Sequence, residues 1–72
     1  MEVKLNSGNV ELTHVKEQNG EIHGNPRNGT ENWSCNMYYT LQRPNGDELL
    51  AELTRVERSD SGPFRLVFEP DE

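Results

Sequence analysis

Two histidines and one cysteine are the side chains in this 72-residue sequence best suited by type to metal binding or nucleophilic attack. A nucleophilic thiol needs a base within hydrogen-bond reach and a setting that favours the thiolate. Cys35 instead falls among the apolar positions of an alternating run, beside Trp33 and Met37, and reads as a small buried hydrophobe. His14 and His23 lie far from it in sequence. A zinc site takes three or four Cys, His or carboxylate ligands, and these spacings match no ligand pattern, so no metal is expected. His14 shares an alternation with Val10 and Leu12 and reads as a partly buried strand histidine satisfied by a neighbour.

The other routes to chemistry are equally bare. Carboxylates are plentiful, but general acid–base work needs two whose surroundings drive their pKa values apart, and these lie in polar stretches. Gly20, Gly24 and Gly29 have neither dinucleotide-fingerprint nor P-loop spacing. Two Asn-x-Ser/Thr triplets, at Asn28 and Asn32, are no more than this composition produces by chance. The expectation is a protein that is not an enzyme and carries no cofactor.

The totals restrict partners. Thirteen acidic residues against seven basic ones give a formal net charge of −6. Residues 1–36 hold five acids and three bases, and residues 37–72 hold eight and four, so the halves carry −2 and −4. Direct nucleic-acid binding needs a basic footprint, and an anionic membrane surface repels such a chain. No run approaches the ~20 apolar residues of a membrane span, and Met1–Lys4 lacks the apolar core of a signal peptide. One cysteine permits no internal disulfide, so the expected location is cytoplasmic. Apolar residues make up 31% of the chain, too few for a thick core, and one small domain over residues 1–72 is expected to gain buried area as a homo-oligomer.

Turn signals set the elements. Ser7-Gly8-Asn9, Asn19-Gly20, Asn28-Gly29, Asn45-Gly46 and Ser61-Gly62-Pro63 divide the chain into short runs, the pattern of antiparallel hairpins. Val3–Leu5 and Val10–Val15 read as paired strands, and Glu21–His23 as a short edge strand. Residues 24–32 contain no apolar side chain except Pro26 and read as the longest loop. Residues 33–42 alternate throughout, with Trp33, Cys35, Met37, Tyr39 and Leu41 on the dry face and Ser34, Asn36, Tyr38, Thr40 and Gln42 on the wet one. Phe64–Phe68 reads as a final strand with Phe64, Leu66 and Phe68 inward, and residues 70–72 as a frayed end.

Residues 47–58 admit two readings. Leu49, Leu50, Leu53 and Val56 form a helical stripe, Asn45 or Asp47 can cap its start, and Arg55 and Arg58 suit its last turn. As a strand, Leu49, Ala51 and Leu53 share a face, but the alternation fails at Arg55. Helix propensity favours the first reading. The expected fold is α+β, an antiparallel sheet of about five strands with one short helix over 47–58; the alternative is an all-β meander closed into a small barrel or sandwich.

Three surfaces are candidates for contact. Asn36, Tyr38 and Thr40 make an uncharged hydrogen-bonding strip around an aromatic ring. Arg27 is the sole cation of the 24–32 loop. Asp47, Glu48, Glu52, Glu57 and Asp60 form an acidic set. The binding residues expected are therefore Tyr38, Asn36, Thr40 and Arg27, acting on a protein partner as a regulator or accessory factor. The alternatives are an acidic inhibitor of a nucleic-acid enzyme, of the kind phages and mobile elements encode, and a small-molecule-binding module whose site forms between subunits, in a pocket lined by Tyr39, His14 and Trp33.

Overall fold

Alternation of apolar and polar residues along much of Glu2–Leu5, Gly8–Gln18 and Tyr38–Gln42, with glycine and asparagine at corners, accompanies a fold that is a closed six-stranded antiparallel barrel. The structure is a computed structural model that describes residues 1–6, 8–27, 33–59 and 62–71, with side chains described for all of these except 59 and 62–64. The strands are β1 (Glu2–Leu5), β2 (Gly8–Gln18), β3 (Glu21–Pro26), β4 (Tyr38–Gln42), β5 (Glu48–Ser59) and β6 (Gly62–Pro70). Around the barrel they run β1-β2-β3-β6-β5-β4. Two three-stranded meanders thus meet at two seams, β3 with β6 and β4 with β1, and every strand is paired on both sides.

The α+β expectation is overturned: the described residues contain no helix, and residues 48–59 are the longest strand of the barrel. Leu49, Ala51 and Leu53 face inward while Leu50 is 46% exposed, the opposite of what a helical stripe requires. The failed alternation at Arg55 is a β-bulge, where the register with β6 slips between Leu53 and Arg55 and brings half-buried Val56 back onto the core. The proposed cap is a turn instead. Asn45 Oδ1 accepts the Asp47 amide at 3.0 Å, the Gly46 amide donates to the Arg43 carbonyl at 2.9 Å, and Gly46 takes φ +96°. Ladder bonds to two neighbours outweigh a helix propensity worth a few tenths of a kcal/mol per residue.

Other expectations need smaller corrections. There are six strands rather than about five. β3 is no edge; it continues through Pro26 and pairs with β2 and β6. Pro26 is tolerated because it ends the strand, and Arg27 then donates its amide to the Glu11 carbonyl. The ten-residue strand over 33–42 is half its expected length. Residues 35–36 form a turn with Asn36 at φ +68°, which leaves Cys35 exposed and Met37 55% exposed, while Tyr39 and Leu41 point inward as the alternation requires. Pro70 and Asp71 are held, since Pro70 pairs with Ala51 and the Asp71 amide donates to Leu50. The loop expected over 24–32 is strand as far as Pro26; the expectations for Ser7, residues 28–32, Asp60, Ser61, Glu72 and the Phe64 side chain lie outside what is described.

Val3, Val10, Leu12, Ile22, Leu41, Ala51, Leu53, Leu66 and Phe68 fill the interior, and Trp33 joins them from the segment before β4. Tyr39 links Trp33 to Phe68 by two edge-to-face contacts, with ring centroids 5.6 and 6.2 Å apart. Gly24 is buried where β3 crosses β2 closely; a Cβ there would lie 3.1 Å from Leu12 Cβ and Cδ1. Asn19 and Gly20 both have positive φ, which the tight β2–β3 hairpin requires.

The packing gives two stability predictions. Phe68→Ala removes a fully buried ring at a cost of about 3–5 kcal/mol, comparable to the whole stability of a domain this small, and the variant will be unfolded at 25 °C by near-UV circular dichroism. Gly24→Ala overpacks the β2–β3 crossing against Leu12 and will lose about 1–3 kcal/mol in urea denaturation.

Candidate functional site

β4 leaves its inward residues to the core and presents Tyr38 and Thr40 on the barrel exterior. In the antiparallel register with β5, Tyr38 lies opposite Glu52 and Thr40 opposite Leu50. Met37, just before the strand, is held by a bond from the Leu53 amide to its carbonyl at 2.9 Å. Met37, Tyr38 and Leu50 are the large exposed apolar side chains among the described residues. Diagonal neighbours on one sheet face lie roughly 7–8 Å apart, so Tyr38 and Leu50 form one patch.

The next strand gives this patch a charged border. Glu52 lies directly opposite Glu69 on β6, and Asp71 follows, its amide bonded to the Leu50 carbonyl at 2.9 Å. Tyr38, Glu52, Glu69, Pro70 and Asp71 line a groove of about 200 Å³. Like charges directly opposite on adjacent strands destabilise a sheet. No described cation lies within ion-pair distance of Glu52, Glu69 or Asp71. Four other described acids are neutralised by a cation, although Glu2, opposite Glu11, has no ion pair with a described residue. Glu48 pairs with Lys4, Glu11 with Arg27 at 2.5 Å, Glu17 with Arg43 at 2.7 Å, and Glu57 with Arg55 at 2.9 Å. The hydrogen bond and the charge of Glu17 both raise the pKa of the Arg43 guanidinium.

Of the four binding residues expected from sequence, Tyr38 and Thr40 share this face, and Asn36 sits in the turn beside it, donating its amide to the Leu53 carbonyl. Arg27 does not join them. It is tied to Glu11, whose partner in the sheet is Glu2, opposite Gln42 at the far end of β4 from Tyr38. The acidic set is dispersed: Glu48 and Glu57 are paired with cations, and Glu52 alone of its described members joins the groove. Glu69 and Asp71 were missed in the sequence because only the β5–β6 register brings them to Tyr38. Trp33 and Tyr39 pack together at the core, while His14 lies in a separate hollow with His23, so the three do not form one pocket. Among the described residues no three His, Cys, Asp or Glu side chains gather closely enough to hold a metal ion, and no helix is long and apolar enough to cross a membrane.

Protein-family models, curated proteins and solved structures were compared with this chain, and none matches it.

Cys35 is exposed rather than buried, so its thiol will react with a water-soluble disulfide reagent in the folded protein, without prior unfolding. The measurement is absorbance of the released thiolate in buffer without denaturant; reaction only after unfolding would place Cys35 inside.

Proposed function

We propose that this protein is a non-catalytic interaction module that binds a basic segment of a protein partner at the Tyr38 groove. The observation that carries the reading is the Glu52–Glu69 pair, two carboxylates set opposite each other without a described counter-ion, beneath an exposed tyrosine. A sheet has no structural use for that arrangement, and local rules are broken chiefly where function requires it. A lysine or arginine side chain entering the groove neutralises both carboxylates and lays its cationic head against an aromatic face. Met37 and Leu50 offer its neighbours apolar area. Tyrosine at the centre of a contact surface with a polar rim is the usual form of a hot spot.

A second copy of this chain is the poorer occupant, because it would bring carboxylates against carboxylates in a protein of net charge −6. The inhibitor reading is also weaker here, since Glu48 and Glu57 are already neutralised by cations of the same chain.

The reading predicts opposite changes in stability and binding. Glu69→Gln removes the repulsion and will raise stability by about 0.2–1 kcal/mol in thermal unfolding. The same substitution will weaken capture of the partner from extracts of the native cell, and Tyr38→Ala will weaken it by about 2 kcal/mol or more. Capture will fall as salt rises. A partner retained equally by wild type and both variants, or a Glu69→Gln protein that is less stable, would defeat the proposal.

A further inference from the structure

On the β2–β3–β6 face of the barrel, six side chains converge on a hollow of about 370 Å³: His14, Lys16, Gln18, His23, Asn25 and Arg65. Strict alternation after Val10 and Leu12 would turn His14 inward. A bulge prevents this. The register between β2 and β3 slips between Thr13 and Lys16, and His14 takes φ +53°, which leaves its ring exposed on the outer face. A non-glycine residue held in the left-handed region is strained, and such strain concentrates at ligand sites. The slip also sets Lys16 opposite His23.

The charge of the hollow is unlike that of the rest of the protein. Lys16 makes no ion pair with a described residue, and Arg65 has only a long contact, 3.6 Å, to Glu57, which Arg55 already holds at 2.9 Å. A second nearby acid is Glu21, whose carboxylate accepts a hydrogen bond from His23 Nε2 at 3.0 Å. Two cations and two side-chain amides therefore face solvent together in a chain with nearly twice as many acids as bases.

The hydrogen bonds also assign the histidine protons. Thr13 Oγ1 donates to the Asn25 carbonyl at 3.3 Å, so the contact from His14 Nδ1 to that oxygen, also 3.3 Å, is a donation by the imidazole. His23 gives its Nε2 proton to Glu21. In the neutral state each ring has then spent its one donor on the protein, and its other nitrogen, an acceptor, has no side-chain hydrogen bond from a described residue. A ligand that satisfies this hollow needs negative oxygens for Lys16, Arg65 and the amides, and a proton of its own for an imidazole nitrogen. Sulfate lacks the proton. Phosphate monoesters, with a second pKa near 6, have mostly lost it at neutral pH. Free phosphate keeps at least one.

We propose that this hollow is a binding site for inorganic hydrogen phosphate, held by Lys16 and Arg65 and distinguished from sulfate by donation to His14 or His23. The site is independent of the Tyr38 groove, and neither proposal needs the other.

The test is a proton–nitrogen correlation NMR titration of the full chain at neutral pH and constant ionic strength, with inorganic phosphate, sulfate and methyl phosphate as separate arms. Phosphate will shift resonances of residues 14–18, 23–25 and 65, and sulfate and methyl phosphate will bind several-fold more weakly. Loss of one charge-assisted contact corresponds to about tenfold in affinity, so Lys16→Gln and Arg65→Gln will each weaken phosphate binding by about that factor. Both positions are exposed, so the variants keep the wild-type spectrum elsewhere. Lys4→Gln removes the same charge on β1 and will leave binding unchanged. Sulfate or methyl phosphate binding as tightly as phosphate, shifts centred outside the hollow, or equal loss in Lys4→Gln would overturn the proposal.

Discussion

Closure of the sheet depends on a short seam. β1 and β4 share three register pairs, and the central one sets Val3 against Leu41, both without exposed surface. If that pairing opened, each meander would present a bare strand edge, and the apolar side chains of β1 and β4 would meet water. A chain with 31% apolar residues has little else to hold it. Burial of Val3 and Leu41 is therefore worth more than their own area, because it removes the edges and completes the space that Phe68, Leu53 and Leu66 fill. The Lys4–Glu48 ion pair crosses this seam on the outside, joining β1 to β5 over β4, although exposed pairs of this kind contribute at most about 1 kcal/mol.

A six-stranded barrel is narrow, and its strands must bend sharply to close. The register slips provide the bends, one in β2 between Thr13 and Lys16 and two in β5, between Leu53 and Arg55 and between Glu57 and Arg58. Each slip also re-aims side chains. The slip in β2 exposes His14 and creates the cationic hollow. The first slip in β5 leaves Thr54 free to donate its hydroxyl to the Val67 carbonyl at 3.2 Å and returns Val56 to the core. Curvature demanded by the fold and chemistry offered at the surface thus arise from the same residues.

This coupling explains what could be read from the chain beforehand. Strand limits were legible wherever alternation was unbroken and a glycine turn closed the run, as at Val10–Leu12 and at Asn19-Gly20. The helix assigned to 47–58 failed because a bulged strand imitates a helical pattern: one inserted residue turns a period of two into spacings of three and four. The placement of Met37 and Cys35 failed because Asn36 adopts positive φ within an otherwise perfect alternation, and asparagine permits that conformation without announcing it. Tyr38 was legible as an aromatic among polar neighbours. Glu69, Asp71 and the meeting of His14 with His23 were not, since each depends on long-range register.

The distribution of charge follows from the same registers. Lys4, Arg27, Arg43 and Arg55 are spent on carboxylates of the chain itself, so the net charge of −6 is not spread evenly over the barrel. It is concentrated where pairing is absent. Glu52 and Glu69 oppose each other at the end of β4, while Lys16 and Arg65 approach each other across β3. A cation moved from the hollow to a place beside Glu52 and Glu69 would relieve the carboxylate pair and diminish both features together. Stability alone favours that exchange, since it would replace a like-charge pair by an ion pair. On the two readings proposed above, the acidic groove and the cationic hollow of one small barrel would each receive from a ligand the counter-charge that the chain itself does not place there.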